Sequence, residues 1–181
     1  MFASDDQQRL LALARRCLDA RVRGVPDPPL DTGGALDARR GAFVSIHRGR
    51  ELRGCLGRVE SSRAVCKVVA RLARDVADSD PRFAPVTLDE LAGLHIEISV
   101  LTAPSELRRI EDIVIGRHGL IVEQGPHRGL LLPQVAVEYG WNAASFLDHT
   151  SLKAGLPRDA WRDARVMAFE AQVFSESPSK D

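Results

Sequence analysis

Ala42-Phe43-Val44-Ser45-Ile46-His47-Arg48-Gly49-Arg50-Glu51-Leu52-Arg53-Gly54-Cys55-Leu56-Gly57 decides the architecture. Two runs in which apolar and polar residues alternate, 42–47 and 51–57, flank Arg48-Gly49-Arg50. Alternation with period two marks half-buried strands, and a glycine-bearing break between two such runs marks a hairpin. Parity then predicts the faces. With an odd connection, Ala42, Val44, Ile46, Leu52, Gly54 and Leu56 share one face, and Phe43, Ser45, Glu51, Arg53 and Cys55 share the other. A two-residue connection mixes the two sets, so it is rejected.

Working outward, the hairpin lies between two helical patterns. Upstream, Leu10, Leu13, Ala14, Cys17 and Leu18 recur at helical spacing over 5–22. Ser4 with Gln7 fits a capping box there, and Gly24 with Pro26, Pro28 and Pro29 stops the helix. Downstream, Ala64, Val65, Val68, Val69, Leu72, Ala73 and Val76 form the stripe of a helix over 62–78, capped by Ser61 or Ser62. Cys17 and Cys66 lie on or beside these stripes and read as core thiols. Further strands are expected at 95–101 and 165–174, and a second hairpin over 119–132. Pro133 opens a short helix, Asn142 caps another, and Gly155 ends it. The prediction is an α+β fold, a mainly antiparallel sheet of 42–47, 51–58, 95–101 and 165–174 with the helices at 5–22 and 62–78 on one face.

Composition narrows the function. A chain of 181 residues fits one domain. Lys+Arg and Asp+Glu are each 25, which argues against a protein that binds nucleic acid or membrane surfaces through surplus cation. No apolar run reaches the roughly 18–20 residues of a membrane span. Met1-Phe2-Ala3-Ser4-Asp5-Asp6 has neither a basic nor an apolar leader region. Three cysteines without a CxxC suit a reducing compartment, so the expected location is cytoplasmic.

The common catalytic and phosphate-binding motifs are absent, and the histidines at 47, 95, 118, 127 and 149 have no metal-ligand spacing, so no metal and no cofactor are expected. Chemistry concentrates at Leu52-Arg53-Gly54-Cys55-Leu56-Gly57. On a strand Arg53 and Cys55 point the same way, roughly 7 Å apart. A guanidinium beside a thiol favours the thiolate. Gly54 and Gly57 either let a ligand approach or accommodate a crossing helix. His47 near the hairpin tip is placed more than about 10 Å from Cys55 by strand rise, which disfavours it as a base. Arginines 39, 40, 48, 50, 53, 58 and 63 crowd one stretch near the start of the second helix, either as an anion-binding surface or as a solvated face.

Leu52-Arg-Gly-Cys-Leu-Gly57 resembles the signature of the AMMECR-type domain family. The resemblance continues through Asp80-Pro-Arg-Phe83, Glu90-Leu91, Ile96-Glu-Ile-Ser-Val-Leu101, Leu132-Pro-Gln-Val135, Gly140-Trp141 and Lys153-Ala-Gly-Leu156, over roughly residues 5–175. It implies a single domain over 1–181 with a larger lobe (about 1–104 plus 140–174), a smaller lobe (about 105–139), a cleft between them and a frayed tail at 175–181. The family's best-known motif corresponds to Arg53, Gly54, Cys55 and Gly57, and no mechanism is attached to the family; the residues themselves make Cys55 the candidate catalytic nucleophile, with Arg53, Gly54, Gly57 and Arg82 as ligand-binding positions for a small anionic ligand. Bacterial and archaeal members are known as AmmeMemoRadiSam system protein A, which implies company with Memo-type and radical-SAM proteins but assigns no reaction. Two readings stay open. One is an enzyme or enzyme component that uses Cys55 and Arg53. The other is a non-catalytic adaptor that binds a protein or RNA partner in the same cleft. Oligomeric state is not legible.

Overall fold

The computed structural model describes residues 1–59 and 62–176. Ser61 and the tail from 177, on which two expectations above fall, lie outside them. The fold is α+β, built from α1 (Ser4–Arg23), β1 (Ala42–Arg48), β2 (Glu51–Arg58), α2 (Val65–Asp75), β3 (Leu94–Leu101), β4 (Ser105–Glu106), β5 (His118–Gln124), β6 (His127–Leu131), α3 (Pro133–Glu138), α4 (Ala143–Lys153) and β7 (Arg165–Ser175). The strand pairs β1–β2, β1–β3, β4–β7, β5–β6 and β5–β7 are antiparallel. No helix among the described residues is long and apolar enough to cross a membrane.

The chain divides into two compact units, Met1–Leu101 with Gln172–Asp181, and Thr102–Ala171. The first is a sheet in which β1 lies between β2 and β3, with α1 and α2 on one face. Ala42, Val44 and Ile46 of β1 and Ile96, Ile98 and Val100 of β3 meet Leu10, Leu13, Leu18, Val69, Leu72 and Ala73 of the helices, all 5 % exposed or less. The end of β7 joins this core through Phe174, and Glu176 N–H donates to the Ile96 carbonyl. Gly24, at φ 66°, ends α1 by donating to the carbonyls of Ala20 and Arg21. The expected Ser4 cap does not form. Ala3 is the N-cap, and the Gln7 amide donates instead to the Phe2 carbonyl at 2.9 Å. The second helix also starts later and ends earlier than its stripe suggests. Val65 N–H is drawn to the Ala38 carbonyl at 2.8 Å, and Ala64 bridges Arg39, so Ser62 is left outside the helix.

The hairpin corrects the parity argument. Arg48 pairs with Glu51, so the connection is the two-residue turn Gly49-Arg50. Ile46 pairs with Gly54 but His47 with Leu52, which makes Arg53 the extra residue of a β-bulge. The bulge restores the register that the short turn would have flipped. Gly54 and Leu56 therefore stay on the core face and Cys55 on the opposite face, beside Ser45. Leu52, expected in the core, is opposite His47 and 40 % exposed.

In the second unit β7 lies between β4 and β5, and β5 pairs onward with β6. Leu120 and Val122 of β5, Ala136 of α3, Phe146 and Leu147 of α4 and Val166 and Ala168 of β7 share its core. That shared core groups 140–171 with the second unit, whereas the larger lobe was expected to hold this stretch. Asn142 caps α4, its side chain accepting from Ser145 N–H at 2.9 Å.

Candidate functional site

β2 pairs only with β1 among the described residues, so its other edge is open to the chain that follows. At Cys55 that edge is closed by side chains. Cys55 N–H donates to Asp80 Oδ2 at 2.9 Å, and the Cys55 carbonyl accepts from Arg82 Nη2 at 3.1 Å. Asp80 and Arg82 thus satisfy the two backbone groups that a further strand would have paired. Arg82 also donates to Asp80 through Nε at 2.9 Å and Nη2 at 2.7 Å. The Asp80 side chain is 2 % exposed, and these bonds, with Arg82 first, hold its carboxyl far below the usual carboxylate range.

A second clamp sits at the bulge. Arg53 donates to Glu90 through Nε at 2.8 Å and Nη2 at 3.0 Å, and to the carbonyls of Ala84 at 2.9 Å and Pro85 at 3.3 Å. Glu90 also accepts from Thr87 N–H at 2.9 Å, the arrangement of a capping box. Arg53 first, then Thr87, lower the Glu90 carboxyl to about 2. The guanidinium fork expected to receive a ligand is therefore taken up within the chain, by partners 31 to 37 residues further along it.

The glycines report the same economy of space. A Cβ on Gly54 would stand 3.0 Å from Val76 Cγ2 and 3.2 Å from Ile46 Cγ1, just past the end of α2. A Cβ on Gly57 would stand 2.0 Å from the Phe43 ring. Gly54 thus accommodates the crossing helix and Gly57 an aromatic ring, which are packing roles.

Because Cys55 turns its backbone groups outward, it and Ser45 form a non-hydrogen-bonded pair, the kind in which side chains approach most closely. Ser45 is opposite Glu97 on β3, so Cys55, Ser45 and Glu97 form one row across the face away from the helices. His47 and His95 form the next row, their rings stacked at 5.2 Å between centroids. The diagonal from Cys55 to His47 is then roughly 7–8 Å between Cα atoms. The expectation of more than about 10 Å counted rise along β2 and ignored the hairpin bringing β1 back alongside. His47 Nε2 is buried without a hydrogen-bond partner among the described residues. Burial lowers the His47 imidazole from its ordinary value, with Glu97 opposing and His95 reinforcing. Cys55 is half-buried, whereas Cys17 and Cys66 are 2 % and 0 % exposed. Burial pushes the Cys17 thiol up to about 11 and also raises that of Cys66. Among the described residues no three His, Cys, Asp or Glu side chains are grouped to hold a metal ion.

Sequence reasoning missed Asp80, Glu90, Ser45, Glu97 and the role of His47. The resemblance runs through Asp80-Pro-Arg-Phe83, Glu90-Leu91 and Ile96–Leu101, and parity puts Ser45 on the face of Cys55, but of these residues only Arg82 was given a role. An α+β chain with a cysteine locked on an edge strand by an Asp–Arg clamp is the class defined so far. A sequence profile of the AMMECR1 family matches residues 11–174. The chain belongs to the AMMECR1 family. It is 45 % identical over 151 residues to Protein MJ0810 of Methanocaldococcus jannaschii, covering 78 % of this chain and 75 % of that one. It is 40 % identical over 199 residues to a protein of Thermofilum pendens, covering 99 % and 93 %. The crystal structure of uncharacterized protein PH0010 from Pyrococcus horikoshii is similar with a TM-score of 0.80, at 40 % identity over 95 % of this chain and 92 % of that one.

Proposed function

We propose that the protein is a thiol-dependent enzyme or enzyme component whose working surface is the polar face of the first unit's sheet, with Cys55 as nucleophile. The observation that carries this reading is the row Cys55–Ser45–Glu97, with His47 on the diagonal, held on a strand whose edge is clamped at Cys55 itself. Clamping fixes the sulfur's position without ordering cost at the moment of reaction. In this reading Cys55 Sγ attacks an electrophilic carbonyl carbon of the substrate. An S–C bond forms as the thiol proton passes to His47, the bond between the carbonyl carbon and the leaving group breaks as His47 gives that proton to the leaving group, and water hydrolyses the thioester to free Cys55. Arg53 and Arg82 are positioning residues, and Gly54 and Gly57 supply clearance for packing. The resemblance to AmmeMemoRadiSam proteins supports placing the reaction in a pathway with Memo-type and radical-SAM proteins.

One observation favours the adaptor reading instead. The Arg53 fork is consumed internally by Glu90, and Arg82, although 57 % exposed, turns its Nε and Nη2 to Asp80, so the bidentate guanidinium expected to hold a small anionic ligand is already occupied at Arg53. Cys55→Ser separates the two. The enzyme reading predicts that this variant folds normally and loses pathway activity in cells. Full pathway activity with Cys55→Ser rejects the nucleophile and leaves the adaptor.

A further inference from the structure

We propose that the stacked imidazoles of His47 and His95 form a proton switch for Cys55, holding its thiol inactive in acid and releasing it near neutrality. The switch rests on the reading in which Cys55 gives its proton to His47. His95, directly opposite His47 on β3, takes no proton in that step.

The geometry couples the two rings. Their centroids are 5.2 Å apart and their planes 16° from parallel, so two imidazoliums here would stand face to face. Across such a distance a unit charge in water changes a neighbour's proton affinity about fourfold, and burial strengthens the effect. The pair therefore takes up its protons in two steps, the first opposing the second. His47 Nε2 is buried without a hydrogen-bond partner among the described residues, so a proton placed there has no acceptor to steady it.

Few other charges face His47. On β2 its partner is Leu52, and the bulge residue Arg53 is tied to Glu90. On β3 it meets His95 directly and Glu97 on the diagonal. Its neighbours on β1, Ile46 and Arg48, alternate to the other face. Glu97 favours the charged ring and His95 opposes it. When Cys55 passes its proton to His47, the new imidazolium is favoured by Glu97 and, with His95 neutral, meets no repulsion from β3. Once acid has protonated His95, the same transfer sets two like charges face to face, and the thiol keeps its proton.

Histidine-ring NMR and alkylation of Cys55 by iodoacetamide, both followed on the full chain from about pH 5 to about pH 8, test this. His95→Gln should raise the midpoint of the His47 titration by roughly 0.5, and Glu97→Gln should lower it. A merely structural role for these residues would not move it in opposite directions. In the parent the Cys55 rate should rise in a step at the His47 midpoint, and in both variants the step should follow that midpoint. Each variant has its own expected direction, so if one fails to fold the other decides. Equal midpoints in all three proteins, or no Cys55 step at the His47 midpoint, overturns the switch and leaves the nucleophile to be judged by Cys55→Ser. Full pathway activity of Cys55→Ser rejects the nucleophile, and the switch with it, even where the two rings titrate as a pair.

Discussion

Asp80 carries more of the site than any other single residue. Its buried carboxylate accepts from Cys55 N–H and from the Arg82 side chain, joining the loop after α2 to the edge of β2. Asp80→Asn removes the charge from both bonds, and Asp80→Ala leaves Cys55 N–H without a partner. Truncating a hydrogen-bonded charge of this kind costs about 1.5–3 kcal/mol. Urea unfolding of Asp80→Ala should therefore show a loss in that range, while Arg109→Ala, whose pair with Glu111 is strongly exposed and 3.5 Å long, should stay within about 0.5 kcal/mol of the parent. The motif around Asp80 was visible in the sequence, but its partner at Cys55 was not. The two are 25 residues apart, and nothing local in either segment names the other. The same holds for Arg53 and Glu90, which sequence reasoning left unpaired.

At the scale of elements, alternation revealed β1, β2, β3 and β7, and a periodic apolar stripe revealed α1 and α2. The strand faces were legible except at Leu52. Parity counts residues and cannot detect a bulge, so a two-residue turn followed by an extra residue at Arg53 looks the same as a longer loop. The boundaries of α2 were misread for a related reason. Its start depends on a backbone bond from Val65 to Ala38, which no side-chain pattern records. Close approach of elements also predicts which glycines matter. A Cβ on Gly129 of β6 would stand 2.3 Å from Ala154 N and 2.5 Å from the Thr150 carbonyl, both backbone atoms next to α4. Gly129→Ala should cost about 3 kcal/mol, because the backbone of α4 has to shift. Gly93→Ala, with open space around its Cβ, should be nearly neutral in the same thermal unfolding assay.

For the molecule as a whole, acid is the natural probe of the two clamps. Asp80 and Glu90 both have carboxyls held below their ordinary range, Glu90 at about 2. A depressed carboxyl contributes stability that is fully present above its unfolded value, about 4 for Asp and Glu, and is lost as pH falls through the folded value. Stability measured by urea unfolding should therefore fall between pH 5 and about pH 2.5. The slope should be shallower in Glu90→Gln, which is already less stable at pH 7. An equal slope in the parent and in Glu90→Gln would show that the Arg53–Glu90 clamp does not contribute. The central claim concerns Cys55, the half-buried thiol among three. Site-resolved alkylation of the native protein by iodoacetamide, read by mass spectrometry, tests it most directly. The account predicts that Cys55 reacts at least roughly tenfold faster than Cys17 and Cys66, whose buried thiols resist ionisation. Equal rates for all three, or Cys55 as the slowest, would contradict it.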